Sequence, residues 1–448
     1  MACGLGRSTA PAGDFSNPPP PPDELATARP DVVPRPADLA KTTVDDAQTT
    51  ATKKVHVAPD GTRTLEISPS PVRFKDAAGK WQDIDLAVTP GPDGTLGAKS
   101  SDHKTKLSPQ AEGTVAVLET SAGPIGLRHP QVSAAPAATK DRRASYKGAL
   151  GGRDLALDLS SNGVEETVTL ADRQAATTYL DEFTLPAGVT AKPRDGGGVT
   201  FADAAGAEIA TFAPGLAFDS AGPGGGPGTI GAVSVRLVGV APPTKAPAVG
   251  AGAAPGAAVL AERAATATNV ATVEVSVDEA WAKDKARTYP VQIDPLFTYV
   301  LNAAYNSYDG LIVSGGTEQN TDYSTNANLA VGSDNGARTS RSLLWFNVGS
   351  LAGPGTWVTE AHLSIWNWAS GSICDPRGVV LTGLGGPITS PVTWNRQPPI
   401  DAGPTTTTNF ARYRGYGCGE GFQNLDATNL AQRWLMNGSP NYGLQLRA

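Results

Sequence analysis

The sequence predicts an all-β protein built as two sandwich-like domains. Three observations carry that prediction. Glycine and proline are abundant, at 51 and 37 residues against 2 methionines, which suits many short strands and turns better than long helices. Short apolar runs recur along the chain with Gly, Pro, Asn or Asp between them. The stretch 361–368 alternates with period two: Ala361, Leu363 and Ile365 point one way, and His362, Ser364, Trp366 and Trp368 the other. The aliphatic face suits a core between two stacked sheets, and the tryptophan-bearing face is left outward.

Taken in order, residues 1–53 read as a disordered Pro/Ala-rich leader. The run SNPPPPP and its Ala-, Thr- and Asp-rich continuation bury too little surface to offset chain entropy. Residues 54–296 read as a large β-rich domain of unknown role. It opens with strands at 55–57 and 65–67 around an Asp60-Gly61 turn. A second hairpin turns at 76–80, and further strands follow at 114–119, 125–128, 154–159, 165–170, 179–185, 198–201, 208–212, 234–240 and 273–277. The Ala/Pro-rich segments 131–139 and 241–258 read as flexible surface excursions. A short helix is expected over 279–286. Pro290 and Pro295 bracket a segment suited to an edge strand or a domain exit. Residues 297–448 form the second domain, with strands at 311–314, 328–331, 342–348, 360–368, 378–382, 421–424 and 443–446. Its one helix is expected at 428–435, capped by Asp426 or Thr428, with Leu430, Trp434 and Leu435 inward.

The net charge of −7 is mild, and no basic cluster points to nucleic acid. No run reaches the length of a membrane span, so membrane insertion is not expected. The opening MACGLGRSTA has no apolar core of a signal peptide. The three cysteines are Cys3, Cys374 and Cys418. The last two share one domain, which permits a single disulfide in an oxidising compartment; the alternative is two buried thiols. A bridge would clamp two long loops and stabilise by roughly 3–4 kcal/mol. Thiol labelling of the native, unreduced protein is then expected to leave both residues unmodified.

The second domain carries an ordered series of motifs: LAVG at 329–332, RSLLWFN at 341–347, AHLSIWN at 361–367 and VTWNRQP at 392–398. These precede LDATNLAQRW at 425–434 and GSPNYGLQL at 438–446. In that order they resemble a DNRLRE domain, a jelly-roll module classed with carbohydrate-binding module family 96. The literal DNRLRE string is absent, and Asn347 stands where the family usually has Asp. The resemblance implies a C-terminal jelly-roll β-sandwich that binds polysaccharide. The segments GKWQDID at 79–85 and YPVQIDP at 289–295 resemble the β-rich region ahead of such modules in large secreted actinobacterial proteins of the RHS or YD-repeat type.

Catalytic chemistry finds little support. None of His56, His103, His129 and His362 sits in a nucleophile–base motif, and there is no HExxH, CxxC or P-loop. The pair Asp83 and Asp85 reads as a solvated hairpin flank. Binding is better supported, because six of the eight tryptophans fall between Trp345 and Trp434. Flat aromatic rings stack on the apolar faces of sugars while polar neighbours bond the hydroxyls. The candidate carbohydrate-binding residues are Trp366, Trp368, Trp345, His362, Tyr413 and Tyr416; the competing reading has these rings filling a core. Trp394 and Trp434 sit in motifs that look structural. A structural calcium is the one cofactor considered, with Asp309, Asp322 and Asp426 as candidate ligands by chain position. The expected function is that of a non-catalytic, extracellular, modular protein whose partner is a polysaccharide or cell-wall glycan. The alternative is a scaffold segment of a cell-surface or RHS-type toxin-delivery protein with no glycan binding.

Overall fold

The alternating runs pair into antiparallel sheets that gather in two compact units, Phe74–Val300, and Met1–Arg73 with Leu301–Ala448. The computed structural model describes residues 2–4, 39–68, 70–102, 104–194, 197–221, 229–243, 254–299, 307–315, 318–323, 328–334, 338–349, 357–369, 376–411 and 421–448.

Part of the span read as a disordered leader is ordered. Strand β1 covers Ala2–Gly4, a 3-10 turn covers Leu39–Lys41, and Thr43 and Val44 pair with Val57 and His56. The Asp60-Gly61 hairpin is present as β2 (Lys53–Val57) and β3 (Arg63–Ile67), with Val55 opposite Leu65. Gly61 has φ +86°, the left-handed conformation the turn needs. Sequence grouped this hairpin with the β-rich domain, whereas it belongs to the unit that also holds Leu301–Ala448.

In Phe74–Val300 two antiparallel layers face each other. One contains β4 (Gly123–Arg128), the other β5 (Arg153–Ser160) and β6 (Gly163–Leu170). Strand β7 (Thr178–Leu185) belongs to the first layer, paired with β4 on one side and β8 (Asn269–Val277) on the other. Strand β6 pairs with β5, and along its opposite edge with Val291–Ile293 and then β9 (Leu296–Tyr299). Pairing of Leu216–Phe218 with Ile230–Ala241 joins the layers, so the strand order closes on itself. Around Phe183 of β7 the interior is apolar: its ring lies 4.9–5.0 Å from the rings of Phe201, Phe212 and Phe297 on the opposite layer.

Three expectations for this unit change. Val291–Ile293 is no edge strand, since it pairs with β6 and with Leu216–Phe218. Pro290 and Pro295 flank it without removing a ladder donor. The excursion at 241–258 ends in a helix, α1 (Pro255–Ala265), which buries Ala257, Leu260, Ala261 and Ala264. The insert at 131–139 is tied down by bridges Gln110–Pro136 and Val132–Leu150. The short helix is α2 (Glu279–Lys283), capped by Asp278, whose carboxylate accepts from the amides of Ala280 and Trp281. Close backbone approach also constrains the fold. A Cβ at Gly215 would lie 1.7 Å from the Asp294 carbonyl oxygen. Gly215→Ala is expected to cost about 1–3 kcal/mol, read as a lower denaturation midpoint.

The other unit contains a two-sheet sandwich. Its larger sheet is ordered β10 (Ser307–Val313), β11 (Arg338–Phe346), then Leu444–Arg447, Arg377–Leu384 and Ile400–Phe410. The smaller is ordered Asn328–Ala330, β1, β12 (His362–Ala369) and β13 (Gly421–Asp426). Leu363, Ile365 and Leu425 from the smaller sheet meet Leu344, Leu381 and Leu446 from the larger. Helix α3 (Thr428–Leu435) follows β13 and buries Leu430, Ala431 and Leu435. A second apolar cluster of Tyr308, Ile312, Leu343, Trp345, Leu384, Ile388 and Val392 packs on the other side of the larger sheet, so β10 and β11 are covered on both faces.

Candidate functional site

The smaller sheet positions one open aromatic–polar strip. Period-two alternation sends Leu363 and Ile365 of β12 into the core and leaves His362 and Ser364 exposed with Trp366 half-buried. Antiparallel register then sets three cross-strand pairs: His362 opposite Asp426, Ser364 opposite Asn424, and Trp366 opposite Phe422. The Trp366 and Phe422 rings pack edge to face, 5.0 Å apart at 83°, and Phe422 is 62% exposed. The Ser364 hydroxyl donates to Asn424 Oδ1 at 2.7 Å. His362 pairs with Glu360. Hydrogen bonds from the Thr428 hydroxyl and amide hold the Asp426 carboxyl below its ordinary range, so it stays ionised at neutral pH. The strip therefore runs from a charged end, through a hydroxyl–amide pair, to an aromatic corner.

The predicted binding residues divide. Trp366 and His362 lie on this strip. Trp368 falls in β12, and its side chain lies outside the described residues, as do Tyr413, Tyr416, Cys374, Cys418 and His103. Trp345 needs correction as a binding residue. It is 5% exposed and belongs to the larger sheet, with its Nε1–H donating to the Asn441 carbonyl at 3.0 Å. Both faces of β11 are covered, so alternation alone did not place it outward. Trp394 is half-buried with the Arg341 guanidinium 4.4 Å from its ring centroid, and Trp434 packs on the core. Phe422 was missed, because only strand register sets it beside Trp366.

The calcium candidates do not converge among the described residues. Asp309 and Asp322 are 2% and 3% exposed in the core of the unit, while Asp426 lies on the outer strip. None of the three joins a cluster of metal-ligating groups; the cluster found among the described residues is elsewhere.

That cluster was also passed over in the sequence. In Phe74–Val300, His129, Glu166 and Asp181 converge with side chains 0–1% exposed. Glu166 comes from β6, Asp181 from β7, and His129 follows the end of β4, whose Arg128 pairs with Glu182. His129 Nδ1 lies 2.7 Å from Asp181 Oδ1, and Nε2 lies 3.5 Å from Glu166 Oε2. The Tyr179 hydroxyl donates to Glu166 Oε1 at 2.6 Å. Burial, with the Asp181 charge second, pushes the Glu166 carboxyl up to about 8; burial raises Asp181 well above its ordinary range and lowers His129. A signal was present in the sequence: period two puts Glu166 on one face with Val164, Val168 and Leu170, and Asp181 with Tyr179, Phe183 and Leu185.

Among the described residues no helix is long and apolar enough to cross a membrane. Comparison of the chain with curated proteins and with solved structures returns no match. Residues 301–447 match the family model of Carbohydrate-binding module family 96, which supports a carbohydrate-binding module in the C-terminal part of this chain.

Proposed function

We propose that the outer strip of β12 and β13 binds polysaccharide and that the protein acts outside the cell as a non-catalytic glycan-binding module. The pair of half-buried Trp366 and exposed Phe422 beside Ser364 and Asn424 carries this reading. An apolar sugar face covers the aromatic corner, and the hydroxyl–amide pair bonds the ring hydroxyls. Glu360 and Asp426 at the other end disfavour a polyanionic chain and favour a neutral polymer. The family match over 301–447 supports the same chemistry. A neutral cell-wall glycan is a partner of that class.

The test is a glycan array probed with the full chain, followed by titration of tryptophan fluorescence with each soluble polysaccharide retained. Binding of a neutral polysaccharide supports the proposal. Silence across the array, with no fluorescence change, overturns it in favour of a scaffold role of the kind the GKWQDID and YPVQIDP resemblance suggests.

A further inference from the structure

We propose that His129, Glu166 and Asp181 form a structural site for a divalent transition-metal ion of the Zn²⁺ class inside the Phe74–Val300 unit. One ligand atom from each residue falls within 4.8 Å of the others. Tetrahedral metal–ligand bonds of roughly 2.0–2.2 Å put ligand atoms about 3.3–3.6 Å apart, so the three side chains draw together around the ion as it binds.

Unsatisfied atoms point to an occupant. Glu166 Oε2 and both Asp181 carboxylate oxygens are buried without an aligned hydrogen bond, and the His129 ring, which has backbone contact at Leu180, makes no aligned bond to either carboxyl group. The 2.7 Å approach of His129 Nδ1 to Asp181 Oδ1 is close enough for such a bond but not oriented for one. Several buried polar atoms without partners in one cluster are costly unless something binds them.

The surroundings match a ligand set. Tyr179 holds Glu166 through Oε1 and leaves Oε2 turned to His129, as an outer-shell partner orients a carboxylate ligand. The nearby cation does not substitute for an ion. Arg153 donates to the carbonyls of Leu150, Ala176 and Thr178, and its guanidinium lies 5.4 Å from the Tyr179 ring centroid. Neither carboxyl group thus has a hydrogen-bonded cation, a position that a divalent ion can fill. One nitrogen and two carboxylates suit zinc or manganese; calcium needs six to eight oxygens. Burial of all three side chains bars substrate, so the ion is structural and is taken up as the two layers close.

The test is elemental analysis of the full chain purified without chelators. On the order of one transition-metal ion per folded chain is expected, with the unfolding midpoint lowered by a chelator and restored by Zn²⁺. Asp181→Asn and His129→Gln are expected to lose the ion, while Trp366→Ala keeps it. Folded wild-type protein without metal, whose midpoint ignores both chelator and Zn²⁺, overturns the proposal and leaves a protonated carboxyl as the occupant. Retention of the full metal content by folded Asp181→Asn overturns it too. Should both variants fail to fold, Co²⁺ loading of the wild type decides: visible absorption that Zn²⁺ displaces supports the site, and its absence overturns it.

Discussion

Trp366→Ala is expected to weaken polysaccharide binding by at least about tenfold, which is roughly 1.4 kcal/mol, while folding is unchanged. The half-buried indole packs edge to face on Phe422, and the aliphatic core lies on the opposite side of β12. Truncation removes the stacking platform and one aromatic pair worth about 0.5–1.5 kcal/mol, but opens no core cavity. Binding is read by titrating the full chain with the polysaccharide retained on the array, and folding by circular dichroism. Phe422→Ala, on the exposed partner, is expected to act in the same direction. Unchanged affinity in both variants removes the strip from the binding surface.

Phe183→Ala is expected to destabilise the Phe74–Val300 unit by about 3–5 kcal/mol, the largest loss foreseen for a single substitution here. Phe183 is fully buried, and three other phenylalanine rings surround it at 4.9–5.0 Å. These rings come from the opposite layer, so the cavity opens where the layers meet and neighbouring strands cannot collapse to fill it. Denaturant titration of the full chain, followed by far-ultraviolet circular dichroism, reads the shift. A loss below about 1 kcal/mol would mean the rings do not pack as described.

Much of the local structure was legible in the sequence. The Asp60-Gly61 turn, the span of the helix at Thr428–Leu435 and the alternation of Leu363 and Ile365 against His362 and Ser364 stand as read, whereas the helix N-cap is Ala427 in place of Asp426 or Thr428. Each depends on residues a few positions apart, where backbone conformation and side-chain period act directly. The candidate site was half legible. Alternation marked Trp366 and His362, but Phe422 joins them only through the β12–β13 register, 56 residues further along the chain. Trp345 failed because its strand is covered twice, and a segment around Ile388 and Val392 closes over the face expected to be open.

By itself the sequence determined the all-β class, the turns and which side chains share a face of each strand, because short-range sterics and a period of two set those things. Tertiary structure alone decided which faces stay wet, which strands are neighbours, and that His129, Glu166 and Asp181 meet between two layers. The physical reason is that a side chain's parity states its direction, whereas its environment depends on what other part of the chain is laid against that face.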